Sequence, residues 1–210
     1  MHWLVKLSAD EQNIWDKIKE HGPTELIWTE LPEKRRIGRW PEGRNDINEY
    51  YRRKHFTENY SWAVPTQKVI DDLKRFVGND TVLEIGSGKG LWAYLLKSIG
   101  INVIATDIKK YQSSFTDIEE MDSIKAVNKY LNANVLMFIW PSYDESWAYE
   151  ALKNFHGNKV IYIGEGVGGC TGDDNLCNLL SEKFQLINDT EDNLLQWHAI
   201  YDRVYLYTRK

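Results

Sequence analysis

The segment Val82-Leu83-Glu84-Ile85-Gly86-Ser87-Gly88-Lys89-Gly90 constrains this chain more than any other. An apolar run of strand length passes into glycines at three alternate positions, and a helical pattern opens directly after them. Glycine permits a tight turn and close approach of a ligand to the main chain, while a helix start offers unpaired N–H groups. In an open parallel sheet, a turn at the carboxyl end of a strand is where ligands bind. The spacing is G-x-G-x-G rather than the G-x-G-x-x-G of dinucleotide folds, and an acidic residue, Glu84, stands within the strand. A second apolar run ends in Thr106-Asp107, seventeen residues past Gly90. A carboxylate there can accept from both hydroxyls of a ribose.

The rest of the chain after residue 65 repeats the alternation of strand and helix. Apolar strands are expected at 81–85, 102–106, 135–140 and 159–164, with a short one at 115–118. Amphipathic segments at 91–99, 123–131, 146–155 and 173–184 read as helices, the last with Asp173 as N-cap. Pro65 suits a first helical turn, followed by Val69, Ile70, Leu73, Phe76 and Val77 at helical spacing. Strand-like runs at 185–188 and 200–208 are placed to pair as a hairpin. Apolar strands alternating with helices predict an open, mostly parallel seven-stranded α/β sheet, covered by helices on both faces.

The first 65 residues have a different texture, turn-rich and irregular. One helix is expected there: Ser8 and Glu11 form a capping-box pattern, Ile14, Trp15 and Ile18 make a stripe, and Gly22-Pro23 ends it. The reading is an N-terminal cap over 1–65 and a ligand-binding domain over 66–210. Residues 33–54 hold eight Lys/Arg against four Asp/Glu, a solvated face or a patch for an anionic partner, in a chain of net charge −5. Nine tryptophans argue against disorder, because disordered segments are poor in aromatics. Two cysteines, Cys170 and Cys177, cannot by themselves make a four-ligand zinc site. No apolar run approaches the ~18 residues needed to span a bilayer, and the first residues lack a signal-peptide pattern. A monomeric, cytoplasmic protein with no membrane contact is expected.

Over residues 60–210 the chain resembles the class I S-adenosylmethionine-dependent methyltransferases. The likeness rests on Glu84-Ile85-Gly86-Ser87-Gly88-Lys89-Gly90, then Ala105-Thr106-Asp107, then Ile139-Trp140-Pro141. More narrowly, Trp140-Pro141-Ser142-Tyr143-Asp144 and the run from Tyr162 to Asp174 resemble an uncharacterised branch, which carries no activity over. The resemblance implies a Rossmann-like methyltransferase fold, with S-adenosylmethionine as cofactor. It puts Gly86, Ser87, Gly88 and Gly90 against the methionine end, helped by Glu84, and gives the ribose to Asp107. Ile108 and Asp122 would lie toward the adenine, and Trp140 would face the sulfonium or the adenine ring.

Groups acting on the acceptor should stand at the carboxyl ends of the fourth and fifth strands. At the fourth, amine methyltransferases often carry Asn or Asp-Pro-Pro-Tyr, whose first side chain accepts from the target nitrogen. Here that position is Trp140, so amine methylation is not supported by the motif. Tyr143 could stack on a flat substrate; alternatively, Trp140 and Tyr143 close the edge of the core. At the fifth strand Glu165 opens a glycine-rich loop, as a substrate ligand, a general base or a cap of its own loop. Tyr143 and Glu165 are thus the catalytic candidates. Tyr60, Trp62 and Asp144 are candidates for binding the acceptor, the first two on a lid or packed extension before the first core helix. Cys170 reads as a small buried thiol, and His156 and His198 as turn or surface residues. The expected function is methyl transfer to an unidentified acceptor, flat or anionic, such as RNA or an aromatic metabolite. A non-catalytic binding module of the same fold is the alternative, and the glycine spacing disfavours a nicotinamide enzyme.

Overall fold

The computed structural model describes residues 57, 58, 60–190, 194 and 200–210. The helix expected after Ser8, the basic run 33–54, most of the proposed cap, Trp197 and His198 lie outside the described residues. Helix α1 (Gln67–Val77) begins two residues later than a start at Pro65. Thr66 takes the N-cap in an extended conformation, its hydroxyl accepting from Val69 N–H at 3.3 Å, so Pro65 precedes the cap. Lys74 and Arg75 stand in the last turn, where cations suit the helix dipole, and Gly78 ends the helix at φ +62°.

Five strands form the parallel part of the sheet: β1 (Val82–Ile85), β2 (Val103–Asp107), β3 (Glu119–Glu120), β4 (Val135–Ile139) and β5 (Lys159–Gly164). Between them run α2 (Leu91–Ser98), α3 (Ser123–Lys129) and α4 (Trp147–Asn154). Helix α5 (Asp174–Lys183) leads into β6 (Phe184–Thr190), and β7 (Arg203–Arg209) completes a seven-stranded sheet. The strand order is β3-β2-β1-β4-β5-β7-β6, with β7 antiparallel to both neighbours.

The central strands are apolar on both faces, and successive residues serve opposite cores. Val82, Val135, Met137, Ile161 and Ile163 pack with α1 and α2; Leu83, Leu136, Phe138, Val160 and Tyr162 pack with α3, α4 and α5. This two-sided burial is the doubly covered sheet that the sequence predicts.

The third strand departs from expectation. Residues 115–118 are not a strand; they fold back over the glycine turn, with Phe115 N–H donating to Lys89 O at 2.8 Å and Lys97 Nζ donating to the Thr116 hydroxyl at 2.8 Å. Pairing is left to Glu119 and Glu120, opposite Thr106 and Asp107. Helix α3 likewise stops at Lys129, short of residue 131, with Tyr130 as its C-cap. Among the described residues no helix is long and apolar enough to cross a membrane.

Candidate functional site

Gly86, Gly88 and Gly90 have φ of +69°, +57° and +77°, a region that glycine enters without steric penalty. Their surroundings differ. A Cβ on Gly86 would lie 2.9 Å from the Trp147 ring, and one on Gly90 would lie 3.0 Å from Thr116 and 3.1 Å from Ile118. A Cβ on Gly88 would meet nothing within 4 Å. The turn is therefore packed at both ends and open in the middle, where a ligand can reach the backbone.

Two carboxylates frame this turn. Asp107, buried at the end of β2, accepts from Gly88 N–H and Lys109 N–H, each at 2.8 Å. It fixes the loop while retaining lone pairs for a further donor. Glu84 is 1 % exposed, and burial pushes its carboxyl up to about 8, offset in part by the Ala93 N–H and the charge of Lys97. Its Oε2 and the Ser87 Oγ are buried and have no hydrogen-bond partner among the described residues. Unsatisfied buried oxygens beside an open glycine fit a ligand that brings its own donors. Glu84, Gly86, Ser87, Gly88, Gly90 and Asp107, all nominated by the sequence, thus lie at the adjoining carboxyl ends of β1 and β2.

Beyond Asp107, Ile108 is 68 % exposed, an apolar side chain facing outward at the carboxyl end of β2. Met121 N–H donates to Asp107 O at 2.8 Å, which brings Asp122 near the same end of the sheet. The Asp122 carboxylate caps α3 by accepting from Lys125 N–H at 3.0 Å, and it pairs with the Lys125 ammonium at 3.1 Å. Those contacts hold its carboxyl below the usual range.

The other side is built by the loops after β4 and β5. Trp140 and Asp144 have φ of +50° and +55°, uncommon for residues with a side chain. Asp144 N–H donates to Gly172 O at 3.0 Å and Gly172 N–H donates to Pro141 O at 2.9 Å, fastening one loop to the other. Glu165 acts as the knot of its loop. Its Oε2 accepts from the Cys170 N–H and thiol, both at 2.9 Å, and its Oε1 accepts from Tyr201 N–H at 2.8 Å. Of the roles open to Glu165 in the sequence, loop capping is the one its contacts display. The Tyr162 hydroxyl lies within 3.1 Å of Glu165 O and of both Thr171 oxygens, and burial pushes its ionisation upward. Tyr143 is 65 % exposed between these loops, and Asp144 is exposed beside it.

A strap formed by residues 60–66 joins the two sides. Tyr60 stacks on Phe115, with centroids 6.0 Å apart, and Trp62 stacks on Trp140 at 5.1 Å. Trp92, buried in α2, donates its indole N–H to Ala63 O at 3.2 Å. The strap thus touches Phe115, which covers the glycine turn, through Tyr60, and Trp140 at the end of β4 through Trp62. Asp202 was missed by sequence reasoning. It is fully buried and accepts the Trp140 indole N–H at 3.1 Å. Phe115 and Trp147, which pack about the turn, were missed as well; their only signal was aromatic content.

No family model and no curated protein matches this chain. Among solved structures, it is similar to magnesium protoporphyrin IX methyltransferase (ChlM) from Synechocystis PCC 6803 with bound SAH. That match has TM-score 0.51 and 11 % identity, covering 96 % of this chain and 100 % of the other. A structure described as "Conversion of a Disulfide Bond into a Thioacetal Group during Echinomycin Biosynthesis" matches at TM-score 0.50 and 11 % identity, over 70 % of this chain and 83 % of the other. The chain thus shares its fold, an open and mostly parallel seven-stranded α/β sheet, with that methyltransferase, and this is the fold that the sequence resemblance implies.

Proposed function

We propose that this protein is an S-adenosylmethionine-dependent methyltransferase. The observation that carries the reading is the open middle of the glycine turn, backed by the unpartnered Glu84 Oε2 and flanked by Asp107. Gly88 and Ser87 would receive the methionine end of the cofactor, and Glu84 would balance its ammonium. Asp107 would hold the ribose hydroxyls, with Ile108 and Asp122 toward the adenine and Trp140 beside the sulfonium. When bound, the cofactor supplies a methyl carbon open to in-line attack, so most of the rate comes from orientation. Tyr143 is suited to lie against the acceptor. Glu165 would serve by tying its own loop to residue 201, a positioning role. We place its action in the reducing cytoplasm, which a chain with only two cysteines suits.

Calorimetric titration with S-adenosylhomocysteine tests the proposal. Binding is expected for the wild type and its loss for Gly88→Val; a folded wild type that binds nothing would overturn it. The non-catalytic alternative is favoured by one feature, the Trp62–Trp140 stack that fills part of the acceptor side. Transfer of labelled methyl from the cofactor to any fraction of a cell extract would exclude that alternative.

A further inference from the structure

Trp140 is held from several directions. Its N–H donates to Ile163 O at 2.7 Å, its indole N–H donates to Asp202, and its ring packs against the core. The backbone stays in the left-handed region to keep it there, a strain that folds sustain where a side chain has a task. Trp62 lies on the strap and is 46 % exposed. The two rings lie 5.1 Å apart by centroid and 18° from parallel, which leaves no gap for a third ring. A flat molecule can therefore reach that face of Trp140 only when Trp62 moves off it.

Charge narrows the occupant. Segments 60–66, 140–146, 164–173 and 200–203 hold Asp144, Glu145, Glu165, Asp173 and Asp202, against Arg203 as the one base. A phosphate or carboxylate brought here meets mainly like charge, whereas a cationic or neutral ring meets an aromatic face with carboxylates around it. Of the two properties expected of the acceptor, flat and anionic, this side of the molecule suits the first and opposes the second.

We propose that the face of Trp140 on which Trp62 stacks is the seat of a planar acceptor without negative charge, and that Trp62 occupies this seat until the acceptor displaces it. The word acceptor rests on the methyltransferase reading; the seat and its self-occupancy do not. Trp62 is then an intramolecular competitor, and apparent affinity is lowered by the fraction of molecules in which it is seated.

The test titrates the full chain calorimetrically with three planar probes: 1-methylquinolinium, quinoline and 2-naphthoate. Trp62→Ala should bind the quinolinium about fivefold more tightly than wild type, since the competing ring is gone. Naphthoate should bind roughly tenfold more weakly than the quinolinium, with quinoline between them. Trp140→Ala should lose the probes, while Trp140→Phe, which keeps a ring, should retain them; the phenylalanine variant also decides the matter if the alanine variant does not fold. Unchanged or weaker binding by Trp62→Ala would overturn the self-occupancy, and naphthoate binding equal to the quinolinium would overturn the charge selection. Parallel titration of wild type with S-adenosylhomocysteine separates the two questions. Failure there removes the methyltransferase reading and leaves the probe series to decide the seat.

Discussion

Glycines 86, 88 and 90 share a backbone conformation but not a neighbourhood, and substitution should separate them. Gly86→Ala adds about 1–2 kcal/mol of left-handed strain and also drives a methyl to 2.9 Å from Trp147. Gly88→Ala incurs the backbone strain alone, while placing a methyl on the open side. Thermal unfolding should therefore show the larger stability loss for Gly86→Ala. Calorimetry should show Gly88→Ala losing S-adenosylhomocysteine affinity out of proportion to its stability. Glu84 gives a second residue-scale prediction. Its folded pKa of about 8 lies above the ordinary 4.5, so the fold favours the protonated form. That contribution is complete below pH 4.5 and is lost as pH rises through 8. Urea unfolding across this window should show stability falling with pH in the wild type and a shallower fall in Glu84→Gln; identical slopes would count against the assignment. The glycines and Glu84 were legible in the sequence because a turn of this shape admits little else at those positions. Asp202 was not, because its partner Trp140 is 62 residues away and no local spacing records the pair.

Single elements are secured in ways that sequence reveals unevenly. The N-cap Asp173, read from its place before a helical pattern, accepts from Leu176 N–H at 2.9 Å. Asp173→Ala should cost about 1 kcal/mol of stability by chemical denaturation. Glu165 binds two stretches at once, its own loop and residue 201. Glu165→Ala should remove the carboxylate that the Cys170 and Tyr201 N–H groups donate to. Both residues are exposed, Cys170 against the expectation of a buried thiol, so water can replace it and the cost is about 0.5–1.5 kcal/mol for each hydrogen bond. Hydrogen exchange at those two amides should accelerate together; protection retained at Tyr201 would show that the loop does not depend on the carboxylate. Half of this knot was visible as a glutamate opening a glycine-rich loop. The half that reaches Tyr201 was hidden by a separation of 36 residues. Strand β3 was misplaced for a related reason: two residues carry no periodicity, and the apolar run before them is spent covering the glycine turn.

Across the whole molecule, one half of the sheet, β1 to β3, carries the glycine turn, and the other half, β4 to β7, carries the fastened loops. The strap crosses between them. A ligand in the turn should therefore raise the stability of the entire cooperative unit. At one hundred times its dissociation constant, S-adenosylhomocysteine should add about 2.7 kcal/mol. For a chain of this size that raises Tm by roughly 5–10 °C, measurable by scanning calorimetry. The alternation of elements and the seven strands were legible because both faces of the central strands are apolar. That β7 lies between β5 and β6 was not, since hydrophobic pattern fixes burial and not neighbour order. The Trp62–Trp140 stack has a consequence of another kind. Two near-parallel indoles 5.1 Å apart are coupled optical oscillators, so their ultraviolet transitions split and lend each other rotational strength. Subtracting the circular dichroism of Trp62→Ala from that of the wild type should isolate a two-signed band. Its collapse on adding a flat ligand would report, without any label, the moment at which the seat changes hands.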